Sequence, residues 1–72
     1  MTDTEVLTKA WNSMMTDDDA EKVLGILRQS QHQAVVSLAR EYEQAPPDQD
    51  KNYTFRKKLE GIMRHQFGMT RW

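Results

Sequence analysis

The sequence predicts an all-α protein, a small helical bundle with a long central helix, and three observations favour this fold class. Apolar residues recur at helical spacing in three successive segments. Residues typical of helix starts precede each segment. A Pro-Pro pair at 46–47 separates the second segment from the third. The predicted helices cover about residues 3–15, 18–44 and 53–67 and form a single domain over residues 1–72.

The first predicted helix begins at a capping box. In Thr2-Asp3-Thr4-Glu5, the side chains of Thr2 and Glu5 are spaced to accept the free N–H groups of a helix start. The residues that follow form one apolar face of the helix. They are Val6, Leu7, Ala10, Trp11, Met14 and Met15. We therefore expect Trp11 to anchor the core.

The second segment, from Ala20 to Gln44, permits two interpretations. The acidic run at residues 17–19 favours a helix start. It does not match a calcium-binding loop, because its spacing lacks the alternating ligands of an EF-hand. One continuous helix is favoured because residues 28–44 contain no Pro or Gly and the apolar stripe resumes in phase. Alternatively, the helix breaks at Gln29–Ser30, because Ser30 and Gln33 also have the spacing of a capping box.

The third predicted helix follows a polar loop around the two prolines. Asn52 or Thr54 is expected to cap it. Its apolar face comprises Phe55, Leu59, Ile62, Met63 and Phe67. Gly68 fits the residue just beyond a helix end. We expect the following tail, including Trp72, to lie outside the core.

The size of the chain predicts a homodimer. A domain of 72 residues buries little core, and with no cysteine it contains no disulfide. Ile26 and Val36 are expected to point away from the main stripe, and Gln31 lies near the centre of that stripe. These three residues are the predicted oligomer interface, with Gln31 pairing with its mate. For Gln31 the slightly favoured interpretation is instead that its amide reaches solvent at a gap between helices 1 and 3.

Positive charge is concentrated in one part of the chain. Residues 51–72 carry six Lys and Arg residues against one acid, whereas residues 1–50 carry four against ten. On a helical wheel, Lys57, Gly61 and Arg64 lie opposite the apolar face of the third helix, with Lys58 to one side and Arg56 to the other. The candidate binding surface for a protein or nucleic acid comprises Arg56, Lys57, Lys58, Gly61, Arg64, Arg71 and Trp72.

These features predict a protein–protein interaction module, a regulator, inhibitor or assembly factor that binds a protein partner. The alternative is a nucleic-acid-binding regulator that uses the basic third helix and the tail. No catalytic motif is present, and His32 and His65 are isolated, so we expect neither an enzyme nor a metal or other cofactor. With no signal-peptide pattern and no long apolar run, we expect a cytoplasmic protein without membrane association.

Overall fold

The computed structural model describes residues 1–72 and contains four α-helices and no strand. They are α1 (Asp3–Met15), α2 (Ala20–Leu27), α3 (Gln33–Gln44) and α4 (Lys51–His65). Each helix packs against two others, because α1 contacts α2 and α4, and α3 contacts the same two helices. The all-α fold is confirmed, whereas the prediction of three helices is wrong. None of the four helices combines the length and apolar character that a membrane span requires.

The start of α1 is confirmed as a capping box. The Glu5 N–H donates to Thr2 Oγ1 at 3.3 Å, and the Glu5 carboxylate accepts from the Thr2 N–H at 3.2 Å. The bonds that the carboxylate accepts from the Thr2 N–H and from the Thr2 hydroxyl favour its ionised form and lower the pKa of Glu5. The helix then extends to Met15, as its apolar spacing predicts.

The long central helix is replaced by two shorter helices, α2 and α3, separated at residues 28–32. Ser30 is buried in this connection, where its hydroxyl donates to Asp3 Oδ1 at 2.8 Å and accepts from the His32 N–H at 3.1 Å. His32 caps α3, since its Nδ1 accepts from the Ala34 N–H. The bond to Asp3 joins residues that are distant in sequence, so helical periodicity alone did not reveal the break.

The core lies between the four helices and consists mainly of aliphatic side chains. Its largest fully buried members are Tyr42, Leu7, Leu27, Leu38, Leu59 and Met63. Phe55 packs edge-on against Tyr42, with 5.1 Å between ring centroids. Burial of the Tyr42 ring raises the pKa of its phenol, because the charged form is poorly solvated there.

Asn52 joins three parts of the chain through hydrogen bonds and is itself buried. Its Oδ1 accepts from the Tyr42 hydroxyl of α3 at 2.6 Å. Its Nδ2 donates to Asp17 Oδ1 at 2.7 Å and to the Asp18 carbonyl at 3.0 Å, in the turn between α1 and α2. Asp17 occupies the left-handed region with φ of 55°, a conformation that this contact supports.

Both ends of the third predicted helix differ from expectation. The helix observed there, α4, begins at Lys51 rather than at 53, and its N-cap Asp50 makes no side-chain capping bond. Asn52 therefore acts in tertiary contacts and not as a cap. The helix ends at His65, and Phe67 packs against the His32 ring at 4.6 Å between centroids. Gly68 adopts φ of 62°, as expected of a glycine beyond a helix end.

We expect Asn52→Ala to lower the free energy of unfolding by about 2–3 kcal/mol, because the Tyr42 hydroxyl and the Asp18 carbonyl lose their partner. Tyr42→Phe removes only one hydroxyl and should cost about 1 kcal/mol. Urea denaturation of both variants measures the difference. A loss for Asn52→Ala no larger than that for Tyr42→Phe would contradict the linking role of Asn52.

Candidate functional site

On the outward face of α4, basic side chains and a histidine surround a glycine. The core-facing side of α4 carries Asn52, Phe55, Leu59 and Met63, all of them buried. Helical geometry places Gly61 on the opposite side. Its neighbours three and four residues away are Lys57, Lys58, Arg64 and His65, which are all exposed. We call Lys57, Lys58, Gly61, Arg64 and His65 the basic face.

Most of the positive charge on α4 is not neutralised within the chain. The structure contains three ion pairs, which involve Lys22, Arg28 and Lys58. Lys58 Nζ lies 3.8 Å from Glu41 Oε1 of α3, and both side chains are about half exposed. Since no other base of α4 forms an ion pair, Lys57 and Arg64 are free to attract an anionic partner, with Glu60 the one acid on this helix.

A second group of side chains borders the basic face on the side of α1. In this group, arginine guanidiniums lie over aromatic rings. Its members are Trp11, Tyr53, Arg56, Arg64 and Trp72. The Arg56 guanidinium lies 5.3 Å from the Trp11 and Tyr53 ring centroids, and the Arg64 guanidinium lies 5.0 Å from that of Trp72. These distances are within the range of cation–π attraction. We call this group the aromatic–arginine cluster.

The C-terminal tail folds back onto the protein. Trp72 therefore packs against the core, although we expected the tail to lie outside it. Its ring meets Trp11 edge-on, with 6.0 Å between centroids, and both residues are half-buried against the core. Arg71 stays exposed beside them. The sequence placed Trp11 in the core and Trp72 in a binding surface. It gave no signal that the two rings touch, because this contact joins opposite ends of the chain.

The predicted binding residues therefore form two adjoining groups, with Arg71 at the margin. Lys57, Lys58, Gly61 and Arg64 share the outward side of α4, whereas Arg56 and Trp72 lie with Trp11. Sequence reasoning missed Trp11 as part of a surface, since its spacing matches the core positions of α1. The two histidines lie on different elements, His32 at the start of α3 and His65 on α4.

Two of the three predicted interface residues, Gln31 and Val36, line one groove, whereas Ile26 is buried within the single chain. Ile26 is only 7% exposed within the single chain, so it does not point away from the core and the basis for its assignment is removed. Gln31 is exposed in the loop between α2 and α3, and not in the centre of a helical stripe. Val36 is half-buried and lines a groove of about 450 Å³ between α2 and α3 together with Gln31.

We expect Trp11→Ala to cost about 2–4 kcal/mol of unfolding free energy, because it removes a large ring that packs against the core and against Trp72. Trp11→Phe should cost much less. It retains an aromatic ring and removes the indole N–H, which is buried without an acceptor. Thermal unfolding measures both variants. Equal destabilisation by the two changes would contradict the expectation that a phenyl ring retains most of the packing.

Comparison of the chain with protein-family models, with curated proteins and with solved structures gave no significant match. The functional interpretation therefore depends on the basic face and the aromatic–arginine cluster. Together they present cations, aromatic rings and a glycine on one side of α4, which is an arrangement suited to binding and offers no nucleophile paired with a base.

Proposed function

We propose that the protein is a protein–protein interaction module that binds an acidic surface of a partner protein. The observation that carries this proposal is the stacking of Arg56 and Arg64 on exposed or half-buried aromatic rings. Stacking holds a guanidinium in place while leaving its N–H groups free for a carboxylate. Such a preorganised cation loses less conformational entropy when it binds.

The composition of this surface supports a protein partner. Trp, Tyr and Arg are the residue types enriched among the energetically dominant positions of protein interfaces. Met15 adds a methionine, which is also enriched at protein interfaces. The residue is 51% exposed, and its sulfur contacts Arg56 Nη1. A regulator, inhibitor or assembly factor acting in the cytoplasm would suit a module of this size.

Nucleic-acid binding is the alternative function, favoured by the lack of acidic partners for most bases of α4. One observation counts against it. Guanidiniums already lie over the rings of Trp11 and Trp72, where nucleobases would have to stack.

Self-association through the groove between α2 and α3 is a separate part of the proposal. Gln31 and Val36 lie there with Arg40 and with the ion pair between Arg28 and Glu43, which has an N–O distance of 2.5 Å. This surface carries both charge signs, so two copies can in principle pair opposite charges across it. A sedimentation-equilibrium mass above 8.5 kDa would support a homodimer.

Replacing two cations of the basic face tests the proposed function. Lys57→Gln/Arg64→Gln should slow association with a captured protein partner by roughly tenfold at low salt, because both charges steer the encounter. Lys9→Gln/Lys22→Gln is the matched control, since it removes the same charge from exposed positions on other helices, away from the groove between α2 and α3. Capture from lysate with and without nuclease, followed by kinetic measurement on the purified partner, provides the comparison.

The protein-binding function requires that the same partner be retained after nuclease treatment. It also requires that the basic-face variant bind more slowly than the control variant. Retention that disappears with nuclease would favour the nucleic-acid alternative. Equal association rates for the two variants would show that the basic face is only solvated charge.

A further inference from the structure

Gly61 lies in the interior of a 15-residue helix, where glycine is unfavourable relative to alanine because it loses more backbone freedom on folding. The fold does not require it there. Its backbone is not in the left-handed region, and a Cβ built on it meets no atom within 4 Å. Gly68, by contrast, adopts a φ of 62° that disfavours other residues. The absence of a side chain at Gly61 therefore leaves the backbone of α4 uncovered at this point, and we call this gap between the neighbouring side chains the notch.

The notch adjoins a shallow hollow between α3 and α4. Small or apolar side chains contribute to its lining: Ala34, Leu38 and Ile62. Lys58, His65 and Glu41 also line it, and the volume is about 420 Å³. An element that crosses α4 at Gly61 can approach the backbone closely and place an apolar side chain into this hollow.

The basic side chains around Gly61 restrict which kind of structural element can cross α4 at this point. Lys57 and Lys58 lie on one side along the helix, and Arg64 lies on the other. The only acid that pairs with any of these is Glu41, which contacts Lys58. If α4 of a second copy crossed antiparallel at Gly61, Lys58 would face Arg64, and these like charges would repel. An acidic element instead complements this surface.

We propose that an acidic amphipathic helix of the partner protein crosses α4 at Gly61. This inference rests on the proposed function and assigns its point of contact. A small residue of the partner helix lies over Gly61, and carboxylates three or four residues to either side reach Lys57, Lys58 and Arg64. An apolar residue on the same helix enters the hollow beside Ile62.

A synthetic helical peptide serves as the probe. It has about 18 residues so that it forms a helix in isolation, with a central alanine, glutamates three and four residues to either side, and one flanking leucine. Fluorescence anisotropy measures its binding to the full chain at low salt. Gly61→Ala should weaken binding by about tenfold or more, because a methyl group fills the notch. Gly61→Leu should weaken it further.

Gly25→Ala is the matched control. Gly25 also lies inside a helix, is exposed, and has no neighbour within 4 Å of a built Cβ. Both glycine-to-alanine variants should raise the melting temperature by about 2–8 °C, since alanine stabilises a helix interior. Only Gly61→Ala should weaken binding, so the measurement separates a contact site from an effect on folding.

Three results would overturn this inference. If Lys57→Gln/Arg64→Gln weakens peptide binding and Gly61→Ala does not, the charges act but the helix does not cross at Gly61. If the wild type does not bind the peptide, the acidic-helix chemistry is wrong, while the capture experiment still tests the proposed function independently. If a single-stranded oligonucleotide of equal charge binds more tightly and Gly61→Ala weakens that binding, the notch serves nucleic acid instead.

Discussion

The arrangement of the helices depends on the hydrogen bonds of one buried amide, that of Asn52. The side chain connects the first turn of α4 to the hydroxyl of Tyr42 in α3 and to the turn at Asp17 and Asp18. A buried amide that is paired in this way is costly to displace, because its partners would lose their hydrogen bonds together. It therefore fixes the rotation of α4 about its own axis. Once Asn52 faces inward, Phe55, Leu59 and Met63 must follow, and Gly61 must face solvent.

A second polar contact restrains the opposite end of the bundle. Ser30 interrupts the helical segment and bonds to Asp3, which holds the α2–α3 connection against the start of α1. The Asn52 and Ser30 contacts lie at opposite ends of α1. The packing of the four helices therefore depends on these contacts as well as on the small apolar core between them. The exposed bases of α4 are thus displayed on a helix whose position is defined by polar contacts as well as by apolar burial.

The sequence predicted the elements governed by local signals and missed those governed by distant contacts. The capping box at Thr2 and the left-handed Gly68 are local, and both were predicted correctly. The helix breaks at residues 28–32, as the alternative interpretation expected, but His32 rather than Ser30 caps α3, and the Ser30 hydroxyl instead bonds to the distant Asp3. For the candidate site, the sequence predicted the bases around Gly61 because they follow helical spacing. It could not place Trp72 on Trp11, since no periodicity relates the tail to α1.

We propose that the outward face of α4 is the binding surface. Amide chemical-shift perturbation, recorded while isotope-labelled protein is titrated with the captured partner, tests this proposal because it reports on every residue at once. We expect the largest changes at Lys57, Gly61 and Arg64, with smaller changes at Trp11 and Trp72. Changes concentrated at Gln31 and Val36, with α4 unaffected, would contradict it and place the interface in the groove between α2 and α3.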